Sequence, residues 1–567
     1  MSGCTGAART AITPDAMPAK VGENRGVVEE ILINKPVSAK MPNGLFAGLD
    51  VSTQGCKLVV VDLDQKKVVS VSAVNYDSDL PKYGTRGGVA QGLETGASES
   101  DPQMWLDAIH SLFGKLGQSG VAVKDIRCIS VSGQQHGLVS LDASGNLSRS
   151  RSKLWNDFST LEECNLLTEK VGGLDAMVAE VGNSQRTGYT APKIFHMFRH
   201  ERAAYDKTAT FFLVHNYINW YLTGGPNGGV AVMEPGDTSG TALWHPGKAA
   251  WSKKVIDAID PGLAKKLPPV KPSDASIGKI SAELAKKYGF SPDCKIDAGT
   301  GDNMYGAVGT GNVTPGIVTI SLGTSGTAYT YMQKAFIDPT GEIAAFCDST
   351  GAYLPLLCVS NLANGYNDIV DLHKLTHQQF DNEIIKKTPV GNKGRLLIPW
   401  YSGERTPDVP QAAPIYFGFG LGDFTVEVLS RAVLEGHILN LYDGFTRMGV
   451  VPKEIRLTGG LSKSDPWCQT IADVFNAEVV PVKGEGAALG AALHAAWVWL
   501  NESGTKTQLE KLCSDFVVLE DKRRAKPIPA NVKVYGVQKQ LFHALSARVR
   551  GVKGDDPFAL RSQLASM

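Results

Sequence analysis

Two distant stretches of the chain share one plan, and this repetition constrains the fold more than any other feature. In "GLFAGLDVSTQGCKLVVVDLD" (44–64), the apolar runs Leu45–Leu49 and Cys56–Val61 flank a small polar turn. In "GIVTISLGTSGTAYTYM" (316–332), an apolar run, the turn "SLGTSG" and a second β-prone run follow in the same order. Short apolar runs bounded by small turn residues predict strands joined as hairpins. We therefore expect a duplicated core unit, with one copy in each of two domains.

Length and composition fit a soluble protein of several domains. A chain of 567 residues is too long for one hydrophobic core. The formal net charge is zero and no long basic block occurs, which disfavours a nucleic-acid or membrane partner. The 61 glycines exceed the usual share of about 7%, which predicts many tight turns.

Cysteine usage and the apolar tracts bear on the cellular compartment. Nine scattered cysteines without a C-x-x-C pair fit reduced thiols in a cytoplasmic protein. The longest apolar tract, 486–500, is shorter than the roughly 20 residues of a membrane span and predicts a buried helix. Residues 1–43 lack apolar periodicity and predict a flexible extension. Acidic residues among its basic ones disfavour an import signal without excluding it.

The pattern after Leu45 predicts an α/β protein with mixed sheets, because strand-like runs alternate with helical spacing. Asp101-Pro102 is a typical helix start, with an N-cap followed by proline. A proline-rich stretch at 259–278 precedes the second hairpin. We expect a first domain at 44–296, a second at 297–500 and a helical C-terminal appendage at 501–567.

The two turns could bind an anion, because Gly, Ser and Thr at a strand end offer converging N–H and hydroxyl groups. They could also be hairpins without further function. Asp50 distinguishes the first turn, since a carboxylate among donors repels phosphate unless a cation such as Mg²⁺ lies between them. Alternatively, Asp50 only initiates the turn. No Walker-type G-x-x-x-x-G-K-[ST] motif occurs.

Ten motifs in order resemble the FGGY family of carbohydrate kinases, the group of ribulokinases, xylulokinases and glycerol kinases. The resemblance extends from Leu45 to about Leu500. The motifs are "GLDVSTQGCK" (48–57), "SGQQHG" (132–137), "LWND" (154–157), "TAPK" (190–193), "GDTSGTALW" (236–244), "GTGDN" (299–303), "SLGTSG" (321–326), "GERTP" (403–407), "RAVLEG" (431–436) and "LTGGLSKSDPWCQTIADVF" (457–475).

This resemblance implies two actin-like, hexokinase-like (ribonuclease H-like) ATPase domains around a central cleft. It also implies ATP- and Mg²⁺-dependent phosphorylation of a sugar hydroxyl. "STQG", "GQQHG" and "LWND" are similar to the ketopentose-kinase versions, so D-xylulose is the favoured substrate and D-xylulose 5-phosphate the product. The alternatives are another sugar or polyol, such as ribulose, or a non-catalytic ATP-binding switch.

The resemblance assigns the chemistry to two aspartates. Asp237 matches the aspartate that takes the proton from the attacking hydroxyl, as a general base should. Without the resemblance, an aspartate after Pro-Gly is equally explained as a turn residue. Asp50 would organise the metal and the transferring phosphate, and both Asp50 and Asp237 are candidate Mg²⁺ ligands.

Further residues are assigned to the two substrates. Gln135 and His136 would hydrogen-bond the sugar, Trp155 would form an apolar wall, and Asn156 and Asp157 would bind hydroxyls. The expected ATP-site residues are Thr53, Gly301, Asp302, Gly323, Thr324, Ser325, Gly459, Gly460 and Ser464. The loop at 459–460 could also be a plain strand-to-helix turn.

Three features do not follow these assignments. "GEGAALG" (484–490) has dinucleotide-fingerprint spacing, but no ribose-binding acid follows, so we interpret it as a helix packed closely on a sheet. "HMFRH" has zinc-like spacing, but a solvated helix face is the better interpretation. Asn216 stands where relatives commonly have an acidic residue. The oligomeric state stays open, with a homodimer as one candidate.

Overall fold

The computed structural model describes residues 44–567, and the expected flexible extension at 1–43 lies outside the described residues. The first sheet has the strand order β5-β6-β4-β1-β2-β3, and β7 also pairs with β4. Strands β1, β2 and β3 are antiparallel neighbours, whereas β4 runs parallel to β1 and to β6. These strands are β1 (Leu45–Val51), β2 (Gly55–Asp62), β3 (Lys67–Asn75), β4 (Ile126–Gly133), β5 (Ser276–Lys279), β6 (Lys295–Asp297) and β7 (Thr300–Gly301).

The second sheet repeats this arrangement in the order β10-β9-β8-β11-β12-β13. Strands β8, β9 and β10 are antiparallel, and β8, β11 and β12 are parallel. The predicted duplication and the two ribonuclease H-like, actin-like units are therefore confirmed. The strands are β8 (Ile317–Leu322), β9 (Gly326–Thr330), β10 (Leu356–Val359), β11 (Glu454–Thr458), β12 (Glu478–Lys483) and β13 (Val518–Leu519).

Short ribbons and helices surround the two sheets. The ribbons pair Thr85–Arg86 with Val89–Ala90, Glu99–Ser100 with Ser152–Lys153, Val139–Leu141 with Thr210–Phe212, Trp244–His245 with Ala250–Trp251, and Leu396–Ile398 with Ile415–Phe417. The helices before the second sheet are α1 (Tyr76–Asp79), α2 (Pro102–Gln118), α3 (Leu161–Val171), α4 (Leu174–Val181), α5 (Thr190–His200), α6 (Arg202–Lys207), α7 (Val214–Thr223), α8 (Pro235–Thr238), α9 (Lys253–Ile259), α10 (Ala282–Tyr288) and α11 (Asp302–Gly309). The later helices are α12 (Ala363–Leu372), α13 (His377–Gln379), α14 (Val426–Thr446), α15 (Asp465–Phe475), α16 (Ala487–Glu502), α17 (Leu509–Phe516), α18 (Pro529–Val549) and α19 (Pro557–Ala565).

Helix α2 shows how local sequence fixes an element. The Asp101 side chain accepts a hydrogen bond from the backbone N–H of Gln103, and Pro102 occupies the first turn, as predicted. The helix buries Trp105, Leu112 and other apolar side chains against the first sheet. Its position therefore follows from one cap and one apolar stripe.

Helix α16 lies against the first sheet, although it follows β12 of the second sheet in the chain. Its apolar residues share a core with Phe46 and Val61 of the first sheet. The contact is close enough that a Cβ at Gly48 would lie 2.1 Å from the Ala488 carbonyl oxygen, and a Cβ at Gly490 would lie 1.9 Å from the Tyr305 carbonyl oxygen. The predictions of a buried helix at 486–500 and of close packing after "GEGAALG" are confirmed.

The C-terminal segment packs on the second sheet's helices. Tyr535 and Gln538 of α18 donate hydrogen bonds of 3.0 and 2.8 Å to the buried carboxylate of Glu435 in α14. The predicted boundary at 296/297 falls inside β6, which belongs to the first sheet; the domain limits stay a prediction. Among residues 44–567, no helix is both long and apolar enough to cross a bilayer.

Candidate active site

Three carboxylates converge at the ends of the central strands of the first sheet. Asp50 lies opposite Ser132 in the β1–β4 register, and the Ser132 hydroxyl donates a 2.7 Å hydrogen bond to Asp50 Oδ1. Burial raises the pKa of Asp50, which the Ser132 hydrogen bond and Lys57 partly offset. Burial, and then the charges of Asp50 and Asp237, raise the pKa of Asp302 to about 8. The carboxylates therefore repel one another, and a bound cation would relieve this repulsion.

Asp237 is the most enclosed of the three, with no exposed surface. It lies in the short helix α8, where the Glu234 carboxylate accepts hydrogen bonds from the backbone N–H groups of Gly236 (2.6 Å) and Asp237 (2.7 Å). Asp237 Oδ1 accepts long hydrogen bonds from the His136 backbone N–H (3.4 Å) and Gln135 Nε2 (3.5 Å). Its Oδ2 is buried and has no hydrogen-bond partner among the described residues. An unsatisfied buried carboxylate oxygen is costly unless a ligand completes it.

The loop after β4 holds Gln135 and His136 beside Asp237. His136 has a positive φ of 63°, and its carbonyl oxygen accepts a 2.7 Å hydrogen bond from Nζ of the fully buried Lys193. Burial lowers the pKa of His136 to about 4, so its ring is neutral at pH 7. Asn303 Nδ2 donates a 2.7 Å hydrogen bond to Gln135 Oε1, which leaves the amide nitrogen facing Asp237.

A cavity of about 340 Å³ opens above this loop and collects residues from both halves of the chain. The predicted residues that line it are Gln135, His136, Trp155, Asp302, Gly323 and Ser325. Trp155 Nε1 donates a 2.9 Å hydrogen bond to Thr53 Oγ1, so Thr53 supports the cavity wall. Gly301 lies beneath Gln135, where a Cβ would come within 2.6 Å of the Gln135 side chain.

Asn156 and Asp157 do not line this cavity. Asn156 Oδ1 accepts a 2.7 Å hydrogen bond from Ser98 Oγ. Asp157 is fully buried, and its carboxylate accepts hydrogen bonds from the Ser98 backbone N–H (2.9 Å), Lys153 Nζ (3.3 Å) and Ser159 Oγ (2.6 Å). In this structure both residues fix the loop that carries Trp155, and their sugar-binding role stays an untested prediction.

A second cavity, of about 570 Å³, lies on the other side of the β8–β9 turn. Gly323, Thr324, Gly460 and Ser464 line it, and Gly323 also lines the first cavity. Gly459 has a φ of +86°, and a Cβ there would lie 2.5 Å from the Leu322 carbonyl oxygen, so this position needs glycine. The β8–β9 turn, which has no charged side chain, therefore lies between the two cavities and lines both.

Several residues of the first cavity have no role predicted from the sequence. Arg186, Tyr189, Asn303 and Arg405 line the first cavity. Arg405 lies in the "GERTP" motif (403–407), so the family resemblance could have identified it as a cavity residue. Arg186 and Tyr189 precede the quoted "TAPK" motif and carry no periodic signal, so only the folded chain shows them in the cavity wall.

The "HMFRH" histidines lie on α5, outside the cavity. Glu162, Glu163 and His200 have ligand atoms close enough together to hold a metal ion. The two glutamates were not predicted from the sequence as partners of these histidines. Arg199 already bonds both carboxylates, at 2.7 Å to Glu162 and 2.5 Å to Glu163. Arg199 therefore offsets one of the two negative charges of this cluster.

Comparisons with known proteins agree with this geometry. Residues 45–309 match the N-terminal domain, and residues 318–499 the C-terminal domain, of the FGGY family of carbohydrate kinases. The chain is 34% identical to xylulose kinase of Haemophilus influenzae over 87% of its own length and 97% of the relative's. It is 32% identical to xylulose kinase of Streptomyces coelicolor over 81% of this chain and 89% of that protein.

A solved structure shows the same fold. The crystal structure of xylulose kinase from Rhodospirillum rubrum superposes with a TM-score of 0.78 at 24% identity, covering 89% of this chain and 99% of that one. Two domain matches in order, the repeated sheets and relatives above 30% identity agree. The chain belongs to the FGGY family of carbohydrate kinases.

Proposed function

We propose that this chain is an ATP-dependent kinase that phosphorylates the terminal hydroxyl of D-xylulose and forms D-xylulose 5-phosphate. Two relatives above 30% identity, from Haemophilus influenzae and Streptomyces coelicolor, are xylulose kinases, and each is covered over most of its length. Membership of a carbohydrate kinase family supports ATP as the second substrate. The two cavities that meet at Gly323 provide separate sites for the two substrates.

One observation carries the proposal. Asp237 is fully buried beside Gln135 and His136, which line the first cavity. Its Oδ2 lacks a hydrogen-bond partner among the described residues. A sugar hydroxyl can donate to one lone pair of this oxygen and would then lie within reach of a base. A primary alcohol is a poor nucleophile, so a carboxylate that accepts its proton assists the attack.

The proposed reaction is a direct transfer. The terminal hydroxyl of the ketose attacks the γ-phosphorus of ATP while its proton passes to Asp237, the bond from phosphorus to the β,γ-bridging oxygen breaks, and ADP leaves. His136, neutral at pH 7, and Gln135 hold the other hydroxyls by hydrogen bonds. Gly323, Thr324 and Ser325 contact the phosphates, and Gly460 and Ser464 surround the nucleoside in the second cavity, with Gly459 shaping the loop that carries them. Positioning of this kind supplies most of the catalysis in phosphoryl transfer.

The donor set fits Mg²⁺. Asp302 lines the first cavity, and burial together with the nearby charges of Asp50 and Asp237 raises its pKa, so a cation held by these carboxylates would be favoured. Asp302, which the family resemblance assigns to the ATP site, is proposed as a ligand together with Asp50 and Asp237. When bound, the ion would neutralise charge on the phosphates.

Asp237→Asn tests the mechanism. We expect kcat for D-xylulose to fall by about a hundredfold or more, because the amide accepts no proton, while the melting temperature stays close to the parental value. Asp206→Asn, an exposed aspartate on α6, is the matched control and should keep full activity. An Asp237→Asn enzyme with the parental kcat would refute the proposed base.

A sugar panel tests the substrate. We expect D-xylulose to have a higher kcat/KM than D-ribulose, L-xylulose, glycerol or gluconate. Turnover of another compound without D-xylulose turnover would replace the substrate and keep the kinase class. ATP binding without turnover of any sugar would favour the non-catalytic switch.

A cytoplasmic location is part of the proposal. The eight cysteines in the described part of the chain are free thiols, as is usual in a reducing compartment. The homodimer stays a prediction.

A further inference from the structure

Two buried polar atoms face each other behind the proposed base. His215 Nδ1 lies 3.5 Å from Asp237 Oδ2, and the two side chains are 1% and 0% exposed. Neither atom has a hydrogen-bond partner within the ordinary limits among residues 44–567. Two unsatisfied buried atoms at this separation are best explained as the ends of one weak or incipient hydrogen bond.

The opposite side of the ring determines which nitrogen carries the proton. Asn216 Nδ2 lies 2.8 Å from His215 Nε2. With the Asn216 amide in this orientation its nitrogen donates, so Nε2 accepts and the ring proton lies on Nδ1, toward Asp237. Glu234 Oε1 lies 3.7 Å from Nε2 but already accepts hydrogen bonds from the Asp237 backbone N–H and Thr300 Oγ1. Asn216, the residue that departs from the family's acidic pattern, therefore sets the direction of this contact.

The ring is also fixed in place by backbone. His215 is the second residue of α7, and Gly133 and Gly299 pack against it. A Cβ at Gly133 would lie 2.7 Å from the His215 backbone nitrogen, and one at Gly299 would lie 3.3 Å from His215 Cδ2. Both glycines therefore pack against His215 with little free space.

We infer that His215 is a positioning residue that donates from Nδ1 to Asp237 Oδ2 and holds the carboxylate in the orientation needed to accept the sugar's proton. This inference rests on the proposed role of Asp237. It assigns to the second residue of α7 a function that its sequence pattern does not indicate. Gln135 and His136 line the cavity and reach Asp237 through its other oxygen, Oδ1, so we expect the effect of His215 in kcat and not in KM.

Two substitutions of similar size separate this role from a merely structural one. In His215→Asn the amide nitrogen can occupy the position of Nδ1, whereas in His215→Gln it reaches the position of Nε2. We expect His215→Asn to keep kcat within about threefold of the parental value and His215→Gln to lose about tenfold to a hundredfold, with KM for D-xylulose little changed in both. Melting temperatures of both variants verify that the measured enzyme is folded.

The same pair of substitutions at His437 provides the matched control. His437 is a fully buried histidine whose Nδ1 contacts the Val433 carbonyl oxygen on α14, away from both cavities. We expect His437→Asn and His437→Gln to change stability without separating in kcat per folded enzyme. Equal losses in the two His215 variants, parental kcat in both, or a change confined to KM would overturn the inference.

The Asp237→Asn background distinguishes the inference from the proposed function. If Asp237→Asn keeps a measurable kcat, about a hundredfold or more below the parental value, and His215→Gln lowers it no further in that background, the two residues act together, as inferred. If Asp237→Asn is inactive but His215→Gln alone keeps the parental kcat, only the positioning role fails. If Asp237→Asn keeps the parental kcat, the proposed base fails, and the role of His215 fails with it.

Discussion

Replacing Asp302 by asparagine should make the metal-free protein more stable and the enzyme inactive. The change keeps the shape of the side chain and removes one of three converging carboxylates. In the folded protein, burial and then Asp50 and Asp237 raise the pKa of Asp302 from 3.8 to about 8. At pH 7 the unfolded chain has released this proton, and the folded chain retains it. Retaining it costs the folded state up to about 4 kcal/mol, at about 1.4 kcal/mol per pH unit.

The sign of the pH dependence follows from the raised pKa. The contribution of Asp302 to stability is fully present below pH 3.8, its ordinary pKa, and is lost as pH rises through about 8. Because asparagine does not titrate, Asp302→Asn does not lose stability in this way as the pH rises. The difference in unfolding free energy between variant and parent should therefore be small near pH 4 and grow toward pH 8.

Urea unfolding in EDTA at several pH values measures this difference. Asp371→Asn, an exposed aspartate on α12, serves as the control and should leave the unfolding free energy unchanged. Added Mg²⁺ should raise the stability of the parent more than that of Asp302→Asn, because binding to the folded state stabilises it. A variant that is less stable than the parent at pH 7, or a difference that does not grow with pH, would refute this reasoning.

Three further substitutions test packing and the nucleotide site. Gly490→Ala should lower the unfolding free energy measured in urea by about 1–3 kcal/mol, because the new Cβ meets the backbone of α11. Gly114→Ala is the control and should show no such loss, because a Cβ there meets no neighbouring atom within 4 Å. Tyr535→Phe should lower the unfolding free energy by about 1–3 kcal/mol in the same assay, because it removes a hydrogen-bond donor to the buried Glu435 carboxylate. Unchanged stability would contradict the buried hydrogen bond. Ser464→Ala should raise KM for ATP and leave KM for D-xylulose unchanged in steady-state kinetics, and a change in the sugar's KM alone would contradict the placement of the nucleotide.

The sequence predicted the elements whose signal is local. The two hairpins were recognisable because strand length and the Gly, Ser and Thr turn residues appear within about 20 residues. The α2 start was equally local. The motif resemblance then supplied Asp237 and the cavity residues Gln135 and His136.

Contacts between distant segments were not predictable in this way. Arg186 reaches the cavity because α5 follows it and packs beside the β4 loop, and no spacing in the sequence indicates this. The roles expected for Asn156 and Asp157 were drawn from a motif, but the structure engages both side chains in the loop around Trp155. His215 was hidden for the same reason, since its partner Asp237 lies 22 residues later on a different helix.

Helix α16 has a consequence for biosynthesis. It covers an apolar face of the first sheet that includes Phe46, Val59, Val61 and Cys128. A ribosome makes this sheet first, yet residue 488, which touches it, follows Phe46 by roughly 440 residues. The face therefore stays uncovered through most of translation, and a fragment that ends before α16 lacks the helix that shields it. Folding of the first half is completed only after nearly the whole chain has been synthesised.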